Sequence, residues 1–303
     1  MLQHRASARP GRTGAVAAAL TAAAVAVVTG TGTPSASAEP APGRPAARVA
    51  DIADRGASLY APENTLASIR EAAVRRADAV KIDVRLAKDG FVVLRDSGLA
   101  RTTNVEQVFP DRRPWNVRDF TVAEIKRLDA GSWFAQEFAG ERVPTLGEAF
   151  KAVNDGRLGA VLEFPAHVAP AAAKPVERLA GELRRQGAAT RYGRTSGLRG
   201  LVIESADEEF LTGLERLLPW LTTGLVGTPG TDRLPALAKV IDVIDVPYSG
   251  FSASYAALIH GHGLKVHTRT LNAAAAMNAA IAGGADGILT ARPDMLRAIL
   301  SGS

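Results

Sequence analysis

Asp54-Arg55-Gly56, with Pro62-Glu63-Asn64-Thr65 close behind, is the part of this sequence best suited to chemistry. A charged pair before a glycine at the C-terminal end of a strand is a site candidate wherever strand ends line a barrel mouth. Asp54 has the chemistry of a proton acceptor, whereas an arginine stays protonated and serves as neither base nor acid. Asn64-Thr65 also reads locally as a helix cap. His267 precedes Arg269 by two residues, which places both on one face of a strand and lets His267 look into a barrel interior. His260-Gly261-His262 has a spacing that a transition metal could use, but no third ligand stands nearby, and the pair reads as a helix end and its loop.

These residues need elements to hold them. β-prone runs at 49–53, 79–84, 160–164, 200–204, 222–226, 241–246, 264–268 and 287–290 alternate with helical stretches at 65–76, 145–153, 175–186, 208–218, 252–260 and 273–281. Eight strands separated by crossovers predict an α/β fold, a (β/α)8 TIM barrel in a single domain. The run 91–95 breaks the alternation, because the few residues before it are too short for a parallel crossover. It reads as the return arm of a β-hairpin extension after the second strand, turning at Lys88-Asp89-Gly90 and placing Arg95 roughly opposite Asp83.

With 303 residues, 47% hydrophobic and 22% charged, the chain can bury a sizeable core, which excludes a short peptide scaffold and a disordered chain. Aromatic residues are only 5%, so Val, Ile, Leu and Ala must fill that core, a composition suited to helices packed on parallel strands. The net charge of +5 falls to +2 once Arg5, Arg9 and Arg12 of the first 38 residues are set aside, and no basic block remains. That argues against a nucleic-acid partner. Residues 1–38 have a basic start, an apolar run over 15–28 and Ala36-Ser37-Ala38, the three parts of a signal peptide. Cleavage after Ala38 and a secreted or extracytoplasmic location are expected, with a retained anchor as the alternative. The apolar run is short of the ~20 residues of a membrane-spanning helix, and no later stretch is longer, so no span is expected after signal removal. No cysteine occurs, so neither a disulfide nor a lipid-modified cysteine can form. Residues 39–47, rich in Pro, Ala and Gly, read as a flexible leader before a domain over 48–303.

Several motifs in order resemble the glycerophosphodiester phosphodiesterase family, a group of phospholipase C-like phosphodiesterase barrels. They are Asp54-Arg55-Gly56, Pro62-Glu63-Asn64-Thr65, Lys81-Ile82-Asp83, Lys88-Asp89-Gly90, Arg95-Asp96 and Arg101-Thr102-Thr103. Leu128-Asp129-Ala130-Gly131-Ser132-Trp133-Phe134, Val143-Pro144-Thr145-Leu146, Thr270-Leu271-Asn272 and Gly284-Ala285-Asp286-Gly287-Ile288-Leu289-Thr290 extend the similarity over nearly the whole chain after 48.

The resemblance implies a barrel mouth holding one divalent cation on Glu, Asp and a further Glu, with two histidines exchanging protons. Carried over, the metal positions are Lys81, Asp83 and Glu163, and the histidine positions are Asp54 and Arg95. The phosphate-binding arginine is kept as Arg55, and Glu63 and Asp96 are kept; with Lys81, Asp83, Glu163 and Arg269 these residues are expected to bind ligand. Pro165 stands where the family has lysine, Arg269 where it has tryptophan, and Ala291 where it has aspartate. The family is thus degenerate here at its catalytic positions. Arg55, Lys81, Arg95 and Arg269 set against Asp54, Glu63, Asp83, Asp96 and Glu163 leave a balance of −1, which needs no dication. An ammonium about 4 Å from a doubly charged ion is repelled by about 8 kcal/mol at an effective dielectric near 20, as much as a micromolar affinity supplies. The Lys81 ammonium is therefore expected in the cation's place, paired with Asp83 and Glu163. No metal or other cofactor is expected; if the family chemistry survives, calcium or magnesium would sit on Asp83, Glu163 and Asp54.

Three functions fit. The first is an exported binding protein that holds a phosphate-ester small molecule or a cell-envelope glycerophosphodiester on Arg55, Lys81, Arg95 and Arg269 without cleaving it. The second is an active phosphoric diester hydrolase with a modified acid–base set, using Asp54 or His167; His167 lies four residues past Glu163, with strand parity toward the same face. The third is an interaction protein using its outer helices.

Overall fold

Nine strands make one sheet, and eight of them close on themselves. A computed structural model describes residues 48–166, 174–188 and 200–302; the signal peptide and leader expected before residue 48, and His167, lie outside the described residues. The strands are β1 (Ala50–Asp54), β2 (Ala79–Leu86), β3 (Phe91–Val93), β4 (Gly159–Phe164), β5 (Leu201–Ser205), β6 (Thr222–Val226), β7 (Val243–Pro247), β8 (Lys265–Arg269) and β9 (Gly287–Thr290). All but β3 are parallel to their neighbours in the order β1-β9-β8-β7-β6-β5-β4-β2, and β2 returns to β1 through Ile52↔Ala79 and Asp54↔Lys81. This is the expected (β/α)8 barrel, a single domain.

Period-two alternation divides each strand between two environments. Ala53, Val80, Ile82, Leu162 and Ile203 face outward and join helix residues Ile69, Phe150 and Leu179 in the largest core cluster. Ala50, Ile52, Ala79, Val161 and Leu289 face inward and fill the barrel floor. On the same parity, two or four residues further along the strands, stand Asp54, Lys81, Asp83, Glu163, Glu204, Asp245, His267 and Arg269. The apolar floor thus carries a charged upper layer at the C-terminal ends of the strands, where barrels place their chemistry.

β3 pairs antiparallel with β2 through Leu86↔Phe91 and Val84↔Val93, with Ala87 N–H bonded to Gly90 O at 2.8 Å to close the hairpin. The register differs by one residue from expectation. Leu94 N–H bonds to Asp83 O at 2.9 Å, and Arg95 lies beyond the strand, exposed on the rim. From there to helix Leu146–Asp155 the chain makes an excursion packed around Trp115, Phe120, Ile125 and Leu128, a small core of its own. The expected helices are present as Leu66–Val74, Leu146–Asp155, Pro175–Arg185, Glu208–Leu217, Ala253–Gly261 and Ala274–Ala282. One more, Pro293–Ser301, follows β9 and seats Leu296 in the core, with Pro293 in its first turn. Among the described residues no helix is long and apolar enough to cross a membrane.

Candidate functional site

Immediately after β1 the chain turns through Arg55 and Gly56, both at positive φ (59° and 83°). A Cβ at Gly56 would stand 2.6 Å from the Ser68 carbonyl carbon, so only glycine lets this loop lie against the following helix. Asn64 is also at positive φ, 58°, and its N–H bonds to Arg55 O at 2.9 Å. Thr65, not Asn64, caps helix Leu66–Val74, in a reciprocal capping box with Ser68. The Asn64 side chain is thereby free for another task. Its Nδ2 donates to Asp83 Oδ2 at 2.8 Å, and its Oδ1 accepts the Asp83 N–H at 3.0 Å.

A cavity of about 440 Å³ opens at the barrel mouth. Asp54, Arg55, Lys81, Asp83, Arg95, Asp96, Glu163 and Arg269 all reach its wall, where Arg85, Pro165 and Thr270 join them. Glu63, expected to bind ligand, is not on that wall. Its carboxylate is taken up by Arg55 Nη1 at 2.8 Å and Arg101 Nη2 at 2.6 Å, so it holds Arg55 in place. Arg101 also pairs with Asp96.

Lys81 occupies the centre, with a side chain only 6% exposed. Its Nζ pairs with Glu163 and lies 3.7 Å from Asp54 Oδ1. The expected pairing with Asp83 is replaced by one with Asp54, because Asn64 has already engaged the Asp83 carboxylate. Burial works against the ammonium, yet Asp54, Glu163 and Asp83 outweigh it and raise the Lys81 pKa above its ordinary value. Burial likewise works to raise the Asp54 carboxyl, but Lys81, Arg55 and the Thr270 hydroxyl, 2.8 Å from Oδ2, hold it below its usual range. Asp54 is consequently a weak base. Burial pushes the Asp83 carboxyl up despite Lys81.

These residues do not fit a divalent cation. The ion would have to share the Asp54 and Glu163 oxygens with an ammonium already seated between them, and Asp83 offers an oxygen bound to an amide. Among the described residues no three or more His, Cys, Asp or Glu side chains converge as a metal site. At His260-Gly261-His262, the His260 Nε2 lies 2.7 Å from Asp286 Oδ2 at the helix end, as its sequence position suggests.

Three further residues lie inside the barrel that sequence reasoning did not assign or left open. Asp245 on β7 is fully buried and accepts Arg269 Nε at 2.9 Å, which turns the remaining guanidinium edge toward the cavity. Burial, reinforced by Glu204, pushes the Asp245 carboxyl above its usual range, against the pull of Lys81 and Arg269. Glu204 on β5 is fully buried too, with His267 Nδ1 3.4 Å from its Oε1. His267 therefore faces the interior, below the cavity wall. An acid inside an otherwise apolar strand, as in Val202-Ile203-Glu204 and Ile244-Asp245-Val246, was the available signal.

A parallel (β/α)8 barrel with an arginine-lined mouth, set around a loop that fixes Arg55 beside Asp54 and Glu63, defines the class by fold and site. The chain belongs to the glycerophosphoryl diester phosphodiesterase family, whose sequence profile matches residues 55–295. A glycerophosphodiester phosphodiesterase of Caldanaerobacter subterraneus is 31% identical over 251 residues, spanning 81% of this chain and 95% of its own length. One from Bacillus subtilis is 30% identical over 272 residues, spanning 84% and 87%. Among solved structures, an Oleispira antarctica phosphodiesterase in complex with the product sn-glycerol-3-phosphate matches with a TM-score of 0.68 and 28% identity, over 83% of this chain and 96% of that one.

Proposed function

We propose that this family member binds a phosphate ester in the barrel mouth and does not carry out metal-dependent hydrolysis. The observation that carries this reading is the Lys81 ammonium paired with Glu163 and 3.7 Å from Asp54, at the position where the resemblance puts a metal-binding glutamate. Cleavage of a diester needs a base and an acid matched to neutral pH. Asp54 and Arg95 stand at the two histidine positions; the first is held in its ionised form by Lys81 and Arg55, and an arginine supplies neither a base nor an acid. Binding needs only oriented cations, which Arg55, Arg95 and Arg269 provide. That the Oleispira antarctica relative holds sn-glycerol-3-phosphate supports a ligand of this chemistry.

The test is twofold. Calorimetry with sn-glycerol 3-phosphate and inorganic phosphate is expected to show binding without added metal. Release of glycerol phosphate from glycerophosphodiesters, with calcium or magnesium present, is expected from the Asp54→His, Lys81→Glu, Arg95→His triple variant and not from the natural chain. Turnover by the natural chain that Asp54→Ala or His167→Ala abolishes would instead establish the second reading, a hydrolase with a modified acid–base set, which the family relationship favours.

The same reading places the protein outside the cytoplasm, on the strength of the basic start, apolar run and Ala36-Ser37-Ala38. N-terminal sequencing of the protein recovered from medium or envelope should begin at Glu39; recovery of an intact Met1 there would speak for a retained anchor.

A further inference from the structure

Resting on the phosphate-ester reading, we propose that the ligand carries a second anionic group besides its ester phosphate, and that esters of quaternary ammonium alcohols are excluded. The carboxylates on the wall are already engaged: Asp54 by Thr270 and Lys81, Glu163 by Lys81, Asp83 by Asn64 and Asp96 by Arg101. Of the wall guanidiniums, Arg55 is held by Glu63 and Asp54, whereas the other three are less fully matched by carboxylates. Arg85 turns two nitrogens to the Arg95 carbonyl and reaches no carboxylate among the described residues. Burial pushes its pKa down, although the charges of Asp83, Asp96 and Glu163 act the other way. Arg95 is exposed on the rim and has no side-chain partner among the described residues. Arg269 spends only Nε on Asp245.

These arginines reach the cavity from different walls. Arg85 and Arg95 come from β2 and the end of its hairpin, and Arg269 from the end of β8, three strand positions away around an eight-stranded barrel and so nearly across it. The Lys81 pairs lie between them. One phosphate seated against either wall leaves the opposite guanidinium unmatched, and a ligand with two separated anions satisfies both. A choline-type head group would meet guanidinium donors instead, and among the described residues no aromatic side chain lines the cavity to offer the ring face that quaternary ammonium recognition uses. Two sources share the required chemistry: a small ester such as phosphorylated glycerophosphoglycerol, and a glycerol phosphate polymer of the cell envelope.

Calorimetry on the full chain with glycerophosphoglycerol phosphate, a short poly(glycerol phosphate) and glycerophosphocholine tests this. The two anionic compounds are expected to bind at least about tenfold tighter than glycerophosphocholine, the scale of one hydrogen bond to a charged group. The double variant Arg95→Gln, Arg269→Gln should collapse that difference. Tighter binding of the polymer than of the small ester identifies the source as polymer, and the reverse as small ester; either order supports the two-anion ligand. Glycerophosphocholine binding as tightly as the anionic compounds overturns the inference and leaves the phosphate-ester reading standing, as does discrimination that survives the double variant. Failure of every phosphate compound, sn-glycerol 3-phosphate included, overturns that reading itself.

Discussion

Replacing Lys81 by glutamate tests the central electrostatic claim, because it exchanges the buried cation for the third carboxylate of a metal site. Lys81 is buried against Asp54 and Glu163. Removing one partner of a buried ion pair costs about 3–5 kcal/mol, since the carboxylates left behind repel and lack hydration. For a domain of this size each kcal/mol lowers the melting temperature by about 2–4 °C, so metal-free Lys81→Glu should melt roughly 6–20 °C below the natural chain. Calcium at 100 times its dissociation constant restores about 2.7 kcal/mol, roughly 5–11 °C of that loss. The natural chain should show no calcium shift, because the ammonium repels the ion by about 8 kcal/mol. Thermal melts of both proteins with chelator and with calcium decide the matter. A calcium-dependent rise in the natural chain would refute the reasoning, and a Lys81→Glu variant indifferent to calcium would show that the side chain at 81 is not what keeps the ion out.

Asp245→Asn leaves Arg269 without its charged partner, and phosphate-ester affinity is expected to fall about tenfold with little change in fold, which calorimetry beside circular dichroism checks. Asp51, buried between β1 and the last helix with Arg297 3.5 Å away, is raised to about 8 chiefly by burial. An unfolded aspartate ionises near 4, so between about pH 4 and 8 the unfolded chain has lost a proton that the folded chain keeps, and stability falls as pH rises. The slope reaches about 1.4 kcal/mol per pH unit and levels off above 8; Asp51→Asn should flatten the melting temperature across that window, and parallel pH profiles would remove Asp51 as its cause. Gly56→Ala forces a Cβ into Ser68 at φ 83° and should cost about 2–4 kcal/mol, read by denaturant unfolding; a loss under 1 kcal/mol would mean the loop has slack.

The barrel was legible because its strands are short apolar runs at regular spacing, and a sheet buried on both faces needs nothing else locally. The hairpin was legible from loop length, although its register was not, since pairing by one residue either way satisfies the same turn signal. Helix Pro293–Ser301 went unrecognised because its apolar face, which includes Leu296, is short and follows β9 with only two residues between.

The family resemblance of the motifs assigned Asp54, Lys81, Asp83, Glu163 and Arg269 to one site, and strand parity agrees, because period two in a closed parallel barrel turns them to the same side. Which charge pairs with which was a tertiary decision. Asn64 reaches Asp83 across 19 residues, and Asp245 reaches Arg269 across 24. With Asp83 and Arg269 so engaged, Lys81 lies against Asp54 and Glu163. Electrostatic partners in a barrel mouth are set by distances between strands that are remote in sequence, and these distances exist only once the sheet has closed.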